Sequence, residues 1–214
     1  MTNAEQLIRE TGVVAILRGF DEDAAGATTN ALTRGGVRAV EVTANTSGFR
    51  QTLDSLSESY GGGAVAIGAG TVLDAETARA AIVSGAEFLV TPTFDEEVVT
   101  TGNRYDVPVL VGVATPSEAL AAYEAGAAMC KIFPAASLGP AFVSALGGPL
   151  AQIPLVPTGG VSRENAPAFF EAGAAAVGTG SAIAPTAAVE GREYDEIERR
   201  ASAFLAIARD HRRG

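Results

Sequence analysis

Eight short runs rich in valine, isoleucine, leucine and alanine, each followed by a longer stretch of helical character, constrain this chain more than any other feature. The runs are Val13–Leu17, Val37–Val42, Ala64–Ala69, Glu87–Thr91, Val107–Val113, Ala127–Phe133, Ile153–Val156 and Ala174–Thr179. They lack a clean two-residue alternation of apolar and polar side chains, which fits parallel strands covered on both faces. Eight strand–helix units within 214 residues fit one closed (β/α)8 TIM barrel, an α/β fold, with residues 1–214 as a single domain. An open doubly wound sheet is the other arrangement of such an alternation. No glycine-rich nucleotide fingerprint follows the first run, which favours the barrel.

The helical stretches carry readable punctuation. Asp74 stands where an N-cap is needed, and Thr93-Phe94-Asp95-Glu96 and Thr115-Pro116-Ser117-Glu118 have capping-box spacing, the latter with proline at the first helical position. Each of these helices is expected to stop at a glycine. A weak repeat supports the count: glycine, a small residue and then a strand recur at Gly36-Val37, Gly85-Ala86, Gly126-Ala127 and Gly173-Ala174. An extra helix is expected at Asn3–Glu10, and a charged amphipathic helix from Glu193 to about Arg209.

Composition removes several function classes. A net charge of −10 and a pI near 4.6 repel nucleic acid. The N-terminus lacks the basic and apolar regions of a signal peptide, and no apolar stretch is long enough for a bilayer, so a cytoplasmic protein without a membrane partner is expected. Cys130 is the lone cysteine, and His211, near the C-terminus, is the only histidine, which leaves little for a disulfide framework, a Ser-His-Asp triad or a zinc site. No metal and no cofactor are expected.

Among fifteen basic side chains one is a lysine, Lys131. A base-composition bias toward arginine explains the depletion; it does not explain a survivor inside the apolar run Ala127–Phe133. A lysine in apolar surroundings loses hydration of its ammonium form, its pKa falls, and the neutral amine can attack a ketone to form a Schiff base. A packed stem whose head reaches solvent is the competing reading.

In a barrel, chemistry gathers at the carboxyl ends of the strands. Those positions hold Arg18, Glu41, Thr71, Thr91-Pro92, Gly112-Val113, Lys131, Thr158-Gly159-Gly160 and Gly178-Thr179-Gly180-Ser181. Glu41 near a lysine could shuttle protons, or serve as an ion-pair partner that only supports the mouth. The two glycine-rich turns after the last strands suit a phosphate, with Thr158, Gly159, Gly160, Gly180 and Ser181 as its expected contacts.

Six segments taken together, Val13-Val14-Ala15-Ile16-Leu17-Arg18-Gly19, Glu41-Val42-Thr43, Gly68-Ala69-Gly70-Thr71-Val72-Leu73, Val90-Thr91-Pro92, Lys131-Ile132-Phe133-Pro134-Ala135 and Thr158-Gly159-Gly160-Val161, resemble the 2-keto-3-deoxy-6-phosphogluconate aldolase family from about residue 11 to 185. The resemblance implies a metal-free class I aldolase, usually a homotrimer, that cleaves a phosphorylated 2-keto-3-deoxy sugar acid into pyruvate and glyceraldehyde 3-phosphate. Lys131 falls on the Schiff-base lysine, Glu41 on the general acid/base, and Thr71 on a holder of the pyruvate carboxylate. Gly159, Gly160 and Ser181 fall on the phosphate pocket, Arg18 on a carboxylate or phosphate partner, and Pro92 and Phe133 on other parts of the pocket. Asn45 departs from the arginine usual in the gluconate enzymes and is similar to the galactonate branch, whose substrate differs in configuration at C4. Three other readings remain from the residues alone: a phosphosugar isomerase or epimerase, a non-catalytic phosphosugar-binding barrel, and an aldolase for unphosphorylated keto acids.

Overall fold

The computed structural model describes residues 1–211. Helix α1 (Asn3–Thr11) precedes eight strands: β1 Val13–Leu17, β2 Ala39–Thr43, β3 Ala66–Gly70, β4 Phe88–Val90, β5 Val109–Val113, β6 Met129–Ile132, β7 Leu155–Pro157 and β8 Val177–Thr179. Between them lie α2 (Glu22–Arg34), α3 (Phe49–Tyr60), α4 (Ala75–Val83), α5 (Glu96–Arg104), α6 (Pro116–Glu124), α7 (Ala135–Gly147) and α8 (Ala166–Glu171), and α9 (Thr186–Glu190) and α10 (Tyr194–His211) follow. All neighbouring strands run parallel in the order β7-β6-β5-β4-β3-β2-β1-β8. The seam closes at a Thr158–Gly178 bridge and an Ala175 N–H to Leu155 C=O bond of 2.9 Å, completing the expected (β/α)8 barrel.

Two apolar layers follow from strand alternation. One face of the strands packs under the helices. The other fills the barrel with Val14, Ala39, Ala66, Phe88, Leu110, Met129, Val156 and Ala176. Ala4 and Ile8 of α1 join this interior cluster, so the extra helix plugs the end of the barrel opposite the mouth. Burying Ile8 there stabilises by roughly 1.5–3 kcal/mol. No helix among the described residues is long and apolar enough to cross a membrane.

The recurring glycine is the pivot of a helix-ending motif. Gly36, Gly85, Gly126 and Gly173 all lie in the left-handed region, each N–H bonding three residues back, while the next N–H reaches five back, as Val37 to Leu32 and Ala127 to Ala122. This explains why the apolar runs start earlier than the strands: Val37, Ala127 and Ala174 are buried under the preceding helix before pairing begins.

Two expectations about α5 require correction. Its N-cap is Asp95, whose carboxylate accepts from Val98 N–H at 2.9 Å, rather than Thr93. Thr93 instead supplies its carbonyl to the Thr91 hydroxyl at 2.6 Å, which holds it in the preceding loop. Nor does α5 stop at glycine: Asp106, at φ 56, takes the glycine slot of the same motif, with Val107 N–H bonding Gly102 C=O. Aspartate tolerates that backbone better than most residues. Arg192, at φ 54, ends α9 in the same way. The other caps follow expectation, with Asp74 accepting from Thr77 N–H and Thr115 from Glu118 N–H. Helix α10 runs one residue later at its start and two at its end than expected, and Arg212 and Arg213 of the charged tail lie outside the described residues.

Candidate active site

Strand periodicity decides which side chains reach the mouth from inside. Ala39 and Met129 are interior residues, so Glu41 and Lys131, two positions further along, stand on the same faces one layer higher. Cys130 between them faces the helices, where burial pushes its thiol up to about 12 and keeps it out of any chemistry at neutral pH. Lys131 is 5% exposed and Glu41 2% exposed. No ion pair joins them among the described residues.

Burial therefore dominates both titrations. Desolvation raises the Glu41 pKa, opposed by the positive charges of Lys131 and Arg18. Desolvation also lowers that of Lys131, helped by Arg18 and opposed by Glu41. Both groups are pushed toward their neutral forms, an amine able to attack a carbonyl and a carboxyl able to give as well as take a proton. The Phe133 ring, with its centroid 5.1 Å from Lys131 Nζ, forms one wall beside the amine.

Glycines on the interior faces make room for the Glu41 side chain and the Pro92 backbone, a role the sequence did not reveal. Gly70 pairs with Thr43 in register, and a Cβ there would land on the Glu41 carboxylate. Gly112 pairs with Lys131, and a Cβ there would strike the Pro92 backbone. A strand glycine marks close approach, and that was the available signal; only the fold says what approaches.

Above Lys131 opens a cavity of about 270 Å³. Of the expected site residues, Arg18, Lys131, Phe133, Thr158, Gly159, Gly160, Gly180 and Ser181 line it. Thr179, of the expected glycine-rich turn, lines it too, as do Ile16, Phe20 and Thr186, which were not anticipated as contacts. Phe20 and Thr186 lie beyond the strand ends, where sequence periodicity offers no guide. Gly159 and Gly160 have φ of 92 and 77, and a Cβ on Gly160 would meet Ala136 Cβ at 2.5 Å. Their carbonyls accept from Ala136 N–H and the Asn165 amide, each at 2.9 Å. No protein acceptor takes the N–H of Gly160 or Ser181 among the described residues, which leaves these donors for an anion. The segment after Gly180 forms a single turn, closed by Ile183 and Ala184 N–H on the Gly180 carbonyl.

Glu41, Thr71, Pro92 and Asn45 do not line that cavity. Glu41 lies within electrostatic reach of Lys131 and Arg18. Pro92 lies against Gly112, beside the lysine strand. Thr71 holds φ 56, a backbone that costs a β-branched residue on the order of 1–3 kcal/mol and persists only under constraint. Asn45 is exposed on the turn after β2. His211 stays in the last turn of α10, with Nδ1 3.0 Å from the Ile207 carbonyl. Among the described residues no three His, Cys, Asp or Glu side chains gather as a metal site.

Comparison with known proteins places this geometry. A family model for KDPG and KHG aldolase matches residues 4–200. The chain is 36% identical over 199 residues to the 2-dehydro-3-deoxy-6-phosphogalactonate aldolase of Escherichia coli strain K12, covering 92% of this chain and 95% of that one. It is 37% identical over 185 residues to the 2-dehydro-3-deoxy-phosphogluconate aldolase of Pseudomonas aeruginosa, covering 86% and 83%. Its fold is similar, at a TM-score of 0.86 and 27% identity over 95% of this chain and 98% of the other, to a KDPG aldolase from Legionella pneumophila with pyruvate captured at low pH as a covalent carbinolamine.

Proposed function

The chain belongs to the KDPG and KHG aldolase family, and from that premise we propose that Lys131 and Glu41 carry its reaction. The protein is a class I aldolase that cleaves a phosphorylated 2-keto-3-deoxy sugar acid to pyruvate and D-glyceraldehyde 3-phosphate. The observation that carries the assignment is the buried Lys131 amine on the interior face of the barrel, lining the cavity and within electrostatic reach of the buried Glu41.

The neutral Lys131 amine adds to the C2 ketone, and the carbinolamine loses water, with Glu41 supplying and removing protons. The iminium draws electrons from the C3–C4 bond as Glu41 takes the C4 hydroxyl proton. Glyceraldehyde 3-phosphate departs, the enamine is reprotonated at C3, and water returns pyruvate and the free amine. Arg18 holds the substrate carboxylate, with Thr71 and Asn45 completing that end and Pro92 and Phe133 walling the pocket. Thr158 was expected among the phosphate donors, but it gives its N–H to the Ile132 carbonyl at 2.9 Å and its hydroxyl to the Val156 carbonyl at 3.1 Å, so it walls the pocket without donating to it. The N–H donors of Gly160 and Ser181, with Gly159 and Gly180 beside them, hold the 6-phosphate. Their place on the cavity above Lys131 supports this orientation.

Asn45, where the gluconate enzymes carry arginine, supports a preference for the galactonate epimer. A homotrimer is the proposed assembly, and exposed Leu73, Val83, Tyr105, Leu120 and Tyr123, from successive units of one side of the barrel, support a subunit contact there. A charged, membrane-impermeant substrate supports action in the cytoplasm, and residues 1–214 are read as one barrel domain. Pyruvate release coupled to lactate dehydrogenase tests the function. The wild type should turn over both C4 epimers, faster on galactonate, and Lys131→Ala neither; equal turnover by Lys131→Ala would overturn the assignment.

A further inference from the structure

Arg18, the proposed carboxylate partner, is exposed and leaves β1 just ahead of Gly19, which sits at φ 76 with open space around its Cα. A long side chain on such a hinge would sample many positions. One side chain restrains it. The Gly19 N–H donates to Thr46 Oγ1 at 3.0 Å, and Thr46 Oγ1 lies 3.0 Å from Thr43 Oγ1, at the end of β2 two residues past Glu41. Thr43 is fully buried and Thr46 nearly so, which shields both bonds from water. The turn between them is closed by Thr46 N–H on the Thr43 carbonyl at 3.0 Å, and Ala44 N–H on the Gly70 carbonyl at 2.7 Å anchors it to β3. Asn45 rides on that turn. Among the described residues, the hydroxyl of Thr46 is thus the one side-chain link between the loop carrying Arg18 and the loop carrying Asn45.

We infer that Thr46 is a positioning residue for substrate selection: its hydroxyl locks the β1 loop to the β2 turn, and so fixes Arg18 and Asn45 relative to each other over the carboxylate end of the substrate. The inference rests on the aldolase reading above and adds to it a residue that touches no reacting atom. Because the latch acts on where Arg18 stands, it governs binding more than bond cleavage.

The test compares Thr46→Val, Thr46→Ser and Thr43→Val in the full-length protein, with Arg18→Met as a second site. Valine keeps the shape of Thr46 and removes its acceptor for Gly19. Loss of one such bond corresponds to a rise in KM of about three- to tenfold, with kcat changed less than about twofold. Thr46→Ser should restore the wild-type KM. Thr43→Val keeps the Gly19 bond and reports the structural cost of losing a buried hydroxyl, so its KM should stay near wild type. In the Arg18→Met background, Thr46→Val should raise KM no further, since the latch acts through Arg18. A Thr46→Val enzyme with unchanged KM, a Thr43→Val enzyme impaired to the same degree, or full additivity with Arg18→Met would each overturn the inference. Wild-type turnover is measured alongside; its absence would count against the aldolase reading itself, separately from the latch.

Discussion

Replacing Gly70 by alanine would set a methyl carbon where the Glu41 carboxylate now lies. The backbone of Gly70 is outside the left-handed region, so the substitution meets no torsional penalty of its own, and the nearest conflict is with the Glu41 side chain. Overpacking a well-filled site costs about 1–3 kcal/mol, which lowers Tm by roughly 2–12 °C in a chain of this size. The barrel should therefore remain folded at 25 °C. Glu41, however, has to leave its place on the lysine layer, and removal of a positioned general acid/base costs about 10²–10⁴ in rate, or roughly 3–5 kcal/mol of barrier. Gly70→Ala should thus approach Glu41→Gln in kcat while melting no more than about 12 °C below wild type. The assay is pyruvate release coupled to lactate dehydrogenase, with thermal melts on the same samples. Wild-type kcat in a folded Gly70→Ala protein would refute the placement of Glu41 as the proton carrier. So would a Gly70→Ala/Glu41→Gln double variant whose losses multiply, because two changes acting through one carboxylate cannot do so.

Other consequences are equally direct. The folded-state pKa of Lys131 is lowered, so between that value and the unfolded value near 10.5 the unfolded chain binds the extra proton and wild-type stability rises with pH. Lys131→Met should remove that slope and stabilise the protein most below the folded-state pKa, as denaturant melts across pH would record. Arg18 helps lower the Lys131 pKa and Glu41 helps raise it. Arg18→Met should then move the pH midpoint of reductive trapping upward and Glu41→Gln should move it downward; shifts in one common direction would contradict the electrostatics. Gly160→Ala brings a Cβ onto Ala136 at φ 77. It should raise KM for the phosphorylated substrate at least tenfold, on the order of one phosphate hydrogen bond lost, while leaving pyruvate trapping unchanged.

Much of this was legible from the residues. All eight strands announced themselves because parallel strands buried on both faces need uninterrupted apolar runs. Lys131 and Glu41 stood out because charge inside such a run demands a reason. The rest was hidden by being non-local. Gly70 reads as an ordinary strand glycine until β2 lies beside β3 and brings Glu41 over it. Thr46 reads as a loop hydroxyl until the β1 loop, 27 residues earlier, arrives as its donor. Asp106 and Arg192 filled glycine slots that a search for glycine passes over, since the motif is set by backbone torsion and not by residue type. The placement of Asn45 on an exposed turn, outside the cavity that holds Lys131, likewise could not follow from its spacing to Glu41.

The account turns on one nitrogen forming a covalent bond with a keto acid. Incubating the folded, active enzyme with pyruvate and borohydride, then mapping the added mass by peptide mass spectrometry, reads that bond directly, and the chain's lone lysine makes the assignment unambiguous. The prediction is a single adduct on the peptide containing Lys131, lost in Lys131→Met. An active enzyme that yields no adduct, or one carrying it only at the N-terminal amine, would contradict it.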